Sequence, residues 1–130
     1  MRETPVVALL FVLAIVAAEG TQPREHDATW TAPPSAAAKP NPLDATPAVV
    51  AGGRKLFEER CASCHGPTAR GTNKAPDLTH PDVQHQSDGA LFWKISSGNT
   101  RKGMPGFSFL PTPQRWQLVL ELRAEAHDTP

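Results

Sequence analysis

Only two cysteines, Cys61 and Cys64, occur in the 130 residues, so no further thiol exists for a disulfide framework or a four-cysteine metal site. Charge of one sign is lacking too. Thirteen Lys and Arg balance thirteen Asp and Glu, and the modest basic excess after Thr46 makes no nucleic-acid footprint. No run alternates apolar and polar residues as a half-buried strand would, so the sequence supplies no βαβ framework. The one long hydrophobic run, Val6 to Ala18, falls short of the ~20 residues a helix needs to span hydrocarbon.

What is present divides the chain into four parts. Arg2, the apolar run and the small residues near Ala18 and Gly20 have the layout of a secretory signal peptide over residues 1–20, with an uncleaved anchor as the alternative. Residues 21–40 carry Pro23, Pro33, Pro34, Pro40 and Ala36-Ala37-Ala38 without apolar period, and read as a linker. A domain is expected over 41–126 and a short tail over 127–130. Within the domain, punctuation predicts three helices. One opens at Thr46-Pro47 and runs toward Cys61, one runs from Ser87-Asp88 to a stop at Gly98, and one opens at Thr112-Pro113. Loops rich in Gly and Pro join them, so the fold class is all-α. A core of this size commonly needs a staple or a bound cofactor.

Cys61-Ala62-Ser63-Cys64-His65 is the C-x-x-C-H pattern of covalent haem attachment. Two thiols one helical turn apart reach the two vinyl groups on one porphyrin edge, and His65 is carried over the ring to place an imidazole nitrogen on the iron. Met104, the only methionine besides the initiator, sits in Gly103-Met104-Pro105-Gly106 and offers a soft thioether as sixth ligand. The competitors for that position are His80 and His85, with His26 and His127 in the chain ends. A rival reading takes Cys61, Cys64, His80 and His85 as a zinc site, whose loose spacing they satisfy. Against it, Pro81 follows His80, no strand hairpin lies between the pairs, and zinc would leave His65 and Met104 without a purpose. Disulfide exchange, the other use of C-x-x-C, lacks its usual framework here.

From Asn41-Pro42 to Arg123 the chain resembles small single-haem class I cytochromes c, particularly soluble bacterial ones related to the haem subunit III of cbb3-type oxidases. The likeness rests on Gly53-x3-Phe57-x3-Cys61, Cys64-His65-Gly66, Ala75-Pro76-Asp77-Leu78-Thr79, Ser87-Asp88-Gly89-Ala90-Leu91-Phe92-Trp93-Lys94-Ile95, Gly103-Met104-Pro105 and Arg115-Trp116-x2-Val119. The resemblance implies a small cytochrome c fold around one covalent haem c. It implies that Gly53 lets the first and last helices cross closely, and that the Pro76 carbonyl accepts from the axial histidine. Leu78 would lie against the haem, and Trp93 would either approach a propionate or pack in the core. Glu121 departs from the family, where a tyrosine is common, and a local packing change is expected there.

The implied function is electron transfer without catalysis, in an exported, periplasmic chain whose partners would be an oxidase, a bc1-type complex or a periplasmic dehydrogenase. Nucleic acid is not an expected partner, and the membrane is one only if residues 1–20 remain as an anchor. Arg101 and Lys102, with Arg54, Lys55, Arg60, Arg70 and Lys74, are candidates for a basic docking rim. Two other classes stay open: a haem-based ligand sensor or peroxidase-like enzyme with a displaceable Met104, and a fixed subunit of a larger oxidoreductase complex.

Overall fold

Residues 22–128 are described by the structure, a computed structural model; the expected signal segment lies outside them. Six α-helices follow in order: α1 Pro34–Ala37, α2 Pro47–Arg60, α3 Ala62–His65, α4 Pro81–Gln84, α5 Asp88–Ser97 and α6 Thr112–His127. Among the described residues there is no strand, only an isolated antiparallel bridge between Asn99 and Met104.

Two of the three long helices start where their capping residues predict. Thr46 Oγ1 accepts from Val49 N at 3.3 Å ahead of Pro47, and Ser87 Oγ accepts from Ala90 N at 3.1 Å. Each satisfies a backbone donor that the first turn would otherwise leave unpaired. Gly98 closes α5 as expected. The last helix begins one position earlier than predicted, with Pro111 as its cap and Thr112 and Pro113 in the first turn. The Thr112 hydroxyl instead accepts from Arg115 Nη2 at 3.1 Å. The short turns α1, α3 and α4 were not predicted, because four residues carry no readable period.

The core lies where α2 crosses α6, with α5 against the other side of α6. Phe57, Leu118 and Val119 are its largest fully buried side chains. Phe92 of α5 stacks on Trp116 of α6 at 3.9 Å between ring centroids. Arg123 ties the end of α6 to the α4–α5 junction, donating to Asp88 Oδ1 at 2.8 Å, Gln84 O at 2.8 Å and Gln86 O at 2.6 Å.

Glu121 stands in the same crossing with its side chain 3% exposed, paired to Arg54 Nη1 at 3.2 Å. Arg54 also pairs with Glu58 and with buried Glu125. The departure anticipated at Glu121 is therefore an ion-pair network across α2 and α6. Burial raises the Glu121 carboxyl above its ordinary value, Arg54 pulls it down, and Asp128 and Glu58 raise it further. A raised carboxyl favours the neutral form in the fold, so its stabilising contribution is full below the unfolded-state value and fades as pH rises through the folded one. Arg54→Gln removes the opposing pull and leaves two buried carboxylates facing each other. The expected loss is about 2–3 kcal/mol at pH 7, below the roughly 3–5 kcal/mol of a fully buried pair because Arg54 is partly in water. Urea titrations at pH 4 and pH 7 check this: the loss should be smaller at pH 4, and a pH-independent loss would contradict it.

Candidate functional site

A cavity of about 1640 Å³ opens between α5, α6 and the loops, larger than the roughly 300–1,000 Å³ of ordinary small-molecule sites. Its inner wall is core: Phe57, Leu91, Ile95, Leu118 and Leu122. On one side the chain turns sharply from α2 into α3, with Cys64 N and His65 N both donating to Cys61 O, at 3.1 and 2.9 Å. That turn brings Cys61, Cys64 and His65 together to the cavity lining. Burial, with Cys64 beside it, pushes the Cys61 thiol up to about 11. A disulfide-exchange cysteine needs the opposite shift.

His65 is 8% exposed, and its Nδ1 lies 2.9 Å from Pro76 O. A carbonyl only accepts, so Nδ1 carries the proton and Nε2 is left with a free lone pair, the arrangement of a metal-ligating imidazole. Burial lowers the His65 value, the Pro76 bond opposes this, and His26 lowers it further. The loop that presents Pro76 is folded back on the same turn: Gly71 N donates to His65 O at 2.7 Å and Leu78 N to Ala69 O at 2.7 Å. Leu78 lines the cavity, packed against the core cluster.

Met104 reaches the same cavity from the loop after α5. Its backbone exchanges two hydrogen bonds with Asn99, Asn99 N to Met104 O at 2.9 Å and Met104 N to Asn99 O at 3.0 Å. Phe107 N then donates to Ile95 O at 2.9 Å, fastening the loop to α5.

Trp93 is half-buried and does not line the cavity. Leu91 and Ile95 face it, and two residues along a helix is about 200° of rotation, which turns the Trp93 indole away. Lys94 takes a place in the lining instead. Among the described residues, no three His, Cys, Asp or Glu come together as a metal site, so the zinc grouping is not assembled. His80 Nδ1 accepts from Asp82 N at 3.2 Å as the cap of α4.

Residues 22–40 differ from the expectation of a linker. Pro23, His26, Trp30 and Ala37 line the cavity, and the His26 ring lies 5.1 Å from that of His80. The sequence signal for this was Gly89: a Cβ there would stand 2.2 Å from Ala36 O and 2.6 Å from Lys39 O, so α1 docks on α5 only because the side chain is missing.

The site fits a haem on its own features. It has apolar walls, a thiol pair on one turn, an imidazole held by its other nitrogen, and a thioether in the same cavity. The family model described as cytochrome C oxidase, cbb3-type, subunit III matches residues 48–120, more than half the chain, from α2 through most of α6. No curated protein matches the chain.

Proposed function

We propose, on the premise that this chain belongs to the cytochrome c oxidase, cbb3-type, subunit III family, that it is a one-electron carrier in which His65 and Met104 are the two axial iron ligands. Membership makes the fold that of a small all-α cytochrome c and the cofactor a covalent haem c, with Cys61 and Cys64 as its attachment points. Bound haem supplies an iron that alternates between ferrous and ferric states. The chain supplies the rest. Pro76 O orients the His65 ring and raises its basicity as a ligand. The Asn99 bridge holds Met104, and Phe57, Leu91 and Leu118 keep water from the inner wall. Two protein ligands leave no open position for a substrate, which favours electron transfer over sensing or peroxide chemistry.

The observation that carries this reading is the 2.9 Å contact of His65 Nδ1 with Pro76 O in a cavity that Met104 also lines. The partner is an oxidase-related redox protein, and exposed Arg60, Lys74 and Lys102 at the cavity rim suit an acidic docking face. Cytochrome c domains are usually exported, and residues 1–20 would direct this one to the periplasm. Among the described residues no helix is long and apolar enough to cross a membrane.

Met104→Ala tests the ligand set. The wild-type ferric protein should show the weak far-red methionine-to-iron band, and the variant should lose it. Its reduction potential should fall by on the order of 0.1–0.3 V, part of the ~0.8 V range that axial ligands control. A low-spin wild-type protein without that band would give the sixth position to one of the cavity histidines instead.

A further inference from the structure

The loop that carries Met104 is rich in glycine, with Gly98, Gly103 and Gly106 around Pro105, a composition that resists opening poorly by itself. It is fastened from outside by the segment that precedes α1. Arg24 Nη1 donates to Lys102 O at 3.0 Å, and Arg24 N donates to Thr72 O at 2.9 Å on the His65 side of the cavity. Asn99 Nδ2 donates to Asp27 Oδ2 at 3.1 Å. The other Asp27 oxygen accepts from Thr29 N and Thr29 Oγ1, at 3.1 and 2.6 Å, which fixes the carboxylate in a tight turn. Beyond that turn the Lys94 ammonium lies over the Trp30 ring at 4.9 Å, and Ser87 Oγ donates to Ala37 O at 2.6 Å. The segment is thus anchored at both ends and in the middle, over a cavity that Pro23, His26 and Trp30 help to line.

We propose that Arg24–Trp30 is a strap that holds the Met104 loop closed, with Asp27 as a positioning residue acting on Met104 through Asn99. The proposal rests on the reading of Met104 as the sixth ligand. Asn99 is the link: its side chain is held by Asp27, and its backbone is paired in both directions with Met104. Loss of the sixth ligand is a local opening of this loop, and every bond that must break first lowers the open population. The strap also stands where an exogenous ligand would enter.

The test uses the full-length, haem-loaded ferric protein and imidazole as the entering ligand, followed by stopped-flow at saturating imidazole, where the rate reports Met104 departure. Asp27→Ala should raise that rate roughly threefold to tenfold, the worth of a single hydrogen bond in water. Asp27→Asn has one acceptor oxygen for the two donors it must satisfy, Asn99 Nδ2 and Thr29 N, so it is a partial replacement only. Arg24→Ala, which removes the donor to Lys102 O, is the second variant and should also open faster than the wild type. A wild-type protein with the methionine band but with equal rates in wild type and Asp27→Ala overturns the strap while leaving the ligand set intact. A wild-type rate in Arg24→Ala also overturns it. A wild-type protein without the band overturns the ligand reading on which the strap depends.

Discussion

Replacing both Cys61 and Cys64 with alanine is expected to abolish covalent haem and to remove most of the domain's folded stability. The residues that wall the cavity, Phe57, Leu91, Ile95, Leu118 and Leu122, are also the core of the domain. Without a covalently held group between them, their inner faces meet only water or one another, and the short loops cannot close over about 1640 Å³. A domain this small has little apolar burial in reserve. A group bound only by the native state contributes its binding free energy to folding, and a covalent link removes the concentration cost of that binding. The expected loss is at least about 3 kcal/mol, or roughly 12 °C or more in melting temperature for a domain of this size. Circular-dichroism melts, with haem staining after denaturing electrophoresis, measure both effects. Each single variant should keep some attached haem through its remaining sulfur and melt in between. A double variant that melts with the wild type would mean that the cavity walls support themselves.

The second large effect is at Gly53. A Cβ there would lie 2.3 Å from Gln117 O and 2.8 Å from Gln117 C, both backbone atoms of α6, and 3.1 Å from Glu121 Cβ. None of these can swing aside, so even Gly53→Ala must push α2 and α6 apart. That movement loosens Phe57 against Val119 and stretches the Arg54 pairs with Glu121 and Glu125. We expect a loss of about 3 kcal/mol, at the top of the usual overpacking range because the obstacle is backbone. Gly52 is the internal control. Its Cβ would meet the end of the Gln117 side chain, with Nε2 at 2.4 Å. That group can rotate away, giving up a 3.3 Å bond to Val49 O. Alanine also gains about 0.5–1 kcal/mol of helix propensity over glycine. Gly52→Ala should therefore be near neutral in urea denaturation, and equal losses at the two positions would contradict the crossing geometry.

The glycine pair shows where sequence reading succeeds and where it stops. Gly53, Phe57 and Cys61 recur at helical spacing, so the buried face of α2 was legible. Thr46, Ser87 and Gly98 mark helix ends by chemistry that acts within a few residues. The cysteine pair and His65 are legible for the same reason, since their geometry is set by one turn. Residues 22–40 were not. Their contacts run through the carbonyls of Ala36 and Lys39, through Asp27 to Asn99, and through Trp30 to Lys94, and no local pattern encodes a partner some 60 positions away. The placement of His26 at the cavity was hidden by the same distance. At Trp93 the helix was legible, but which face of it turned toward the cavity depended on packing against α6. At Glu121 the missing information was again long-range, because its partner Arg54 lies on another helix.

The most direct test of the central claim is the visible absorption spectrum of the purified protein, made with haem-attachment machinery and recorded ferric and ferrous, then again in denaturant. The account predicts sharp low-spin bands, a reversible change between the two oxidation states, and haem that stays with the polypeptide after unfolding. A high-spin spectrum that binds carbon monoxide rapidly would contradict the closed His65/Met104 carrier, and haem lost on unfolding would contradict attachment through Cys61 and Cys64.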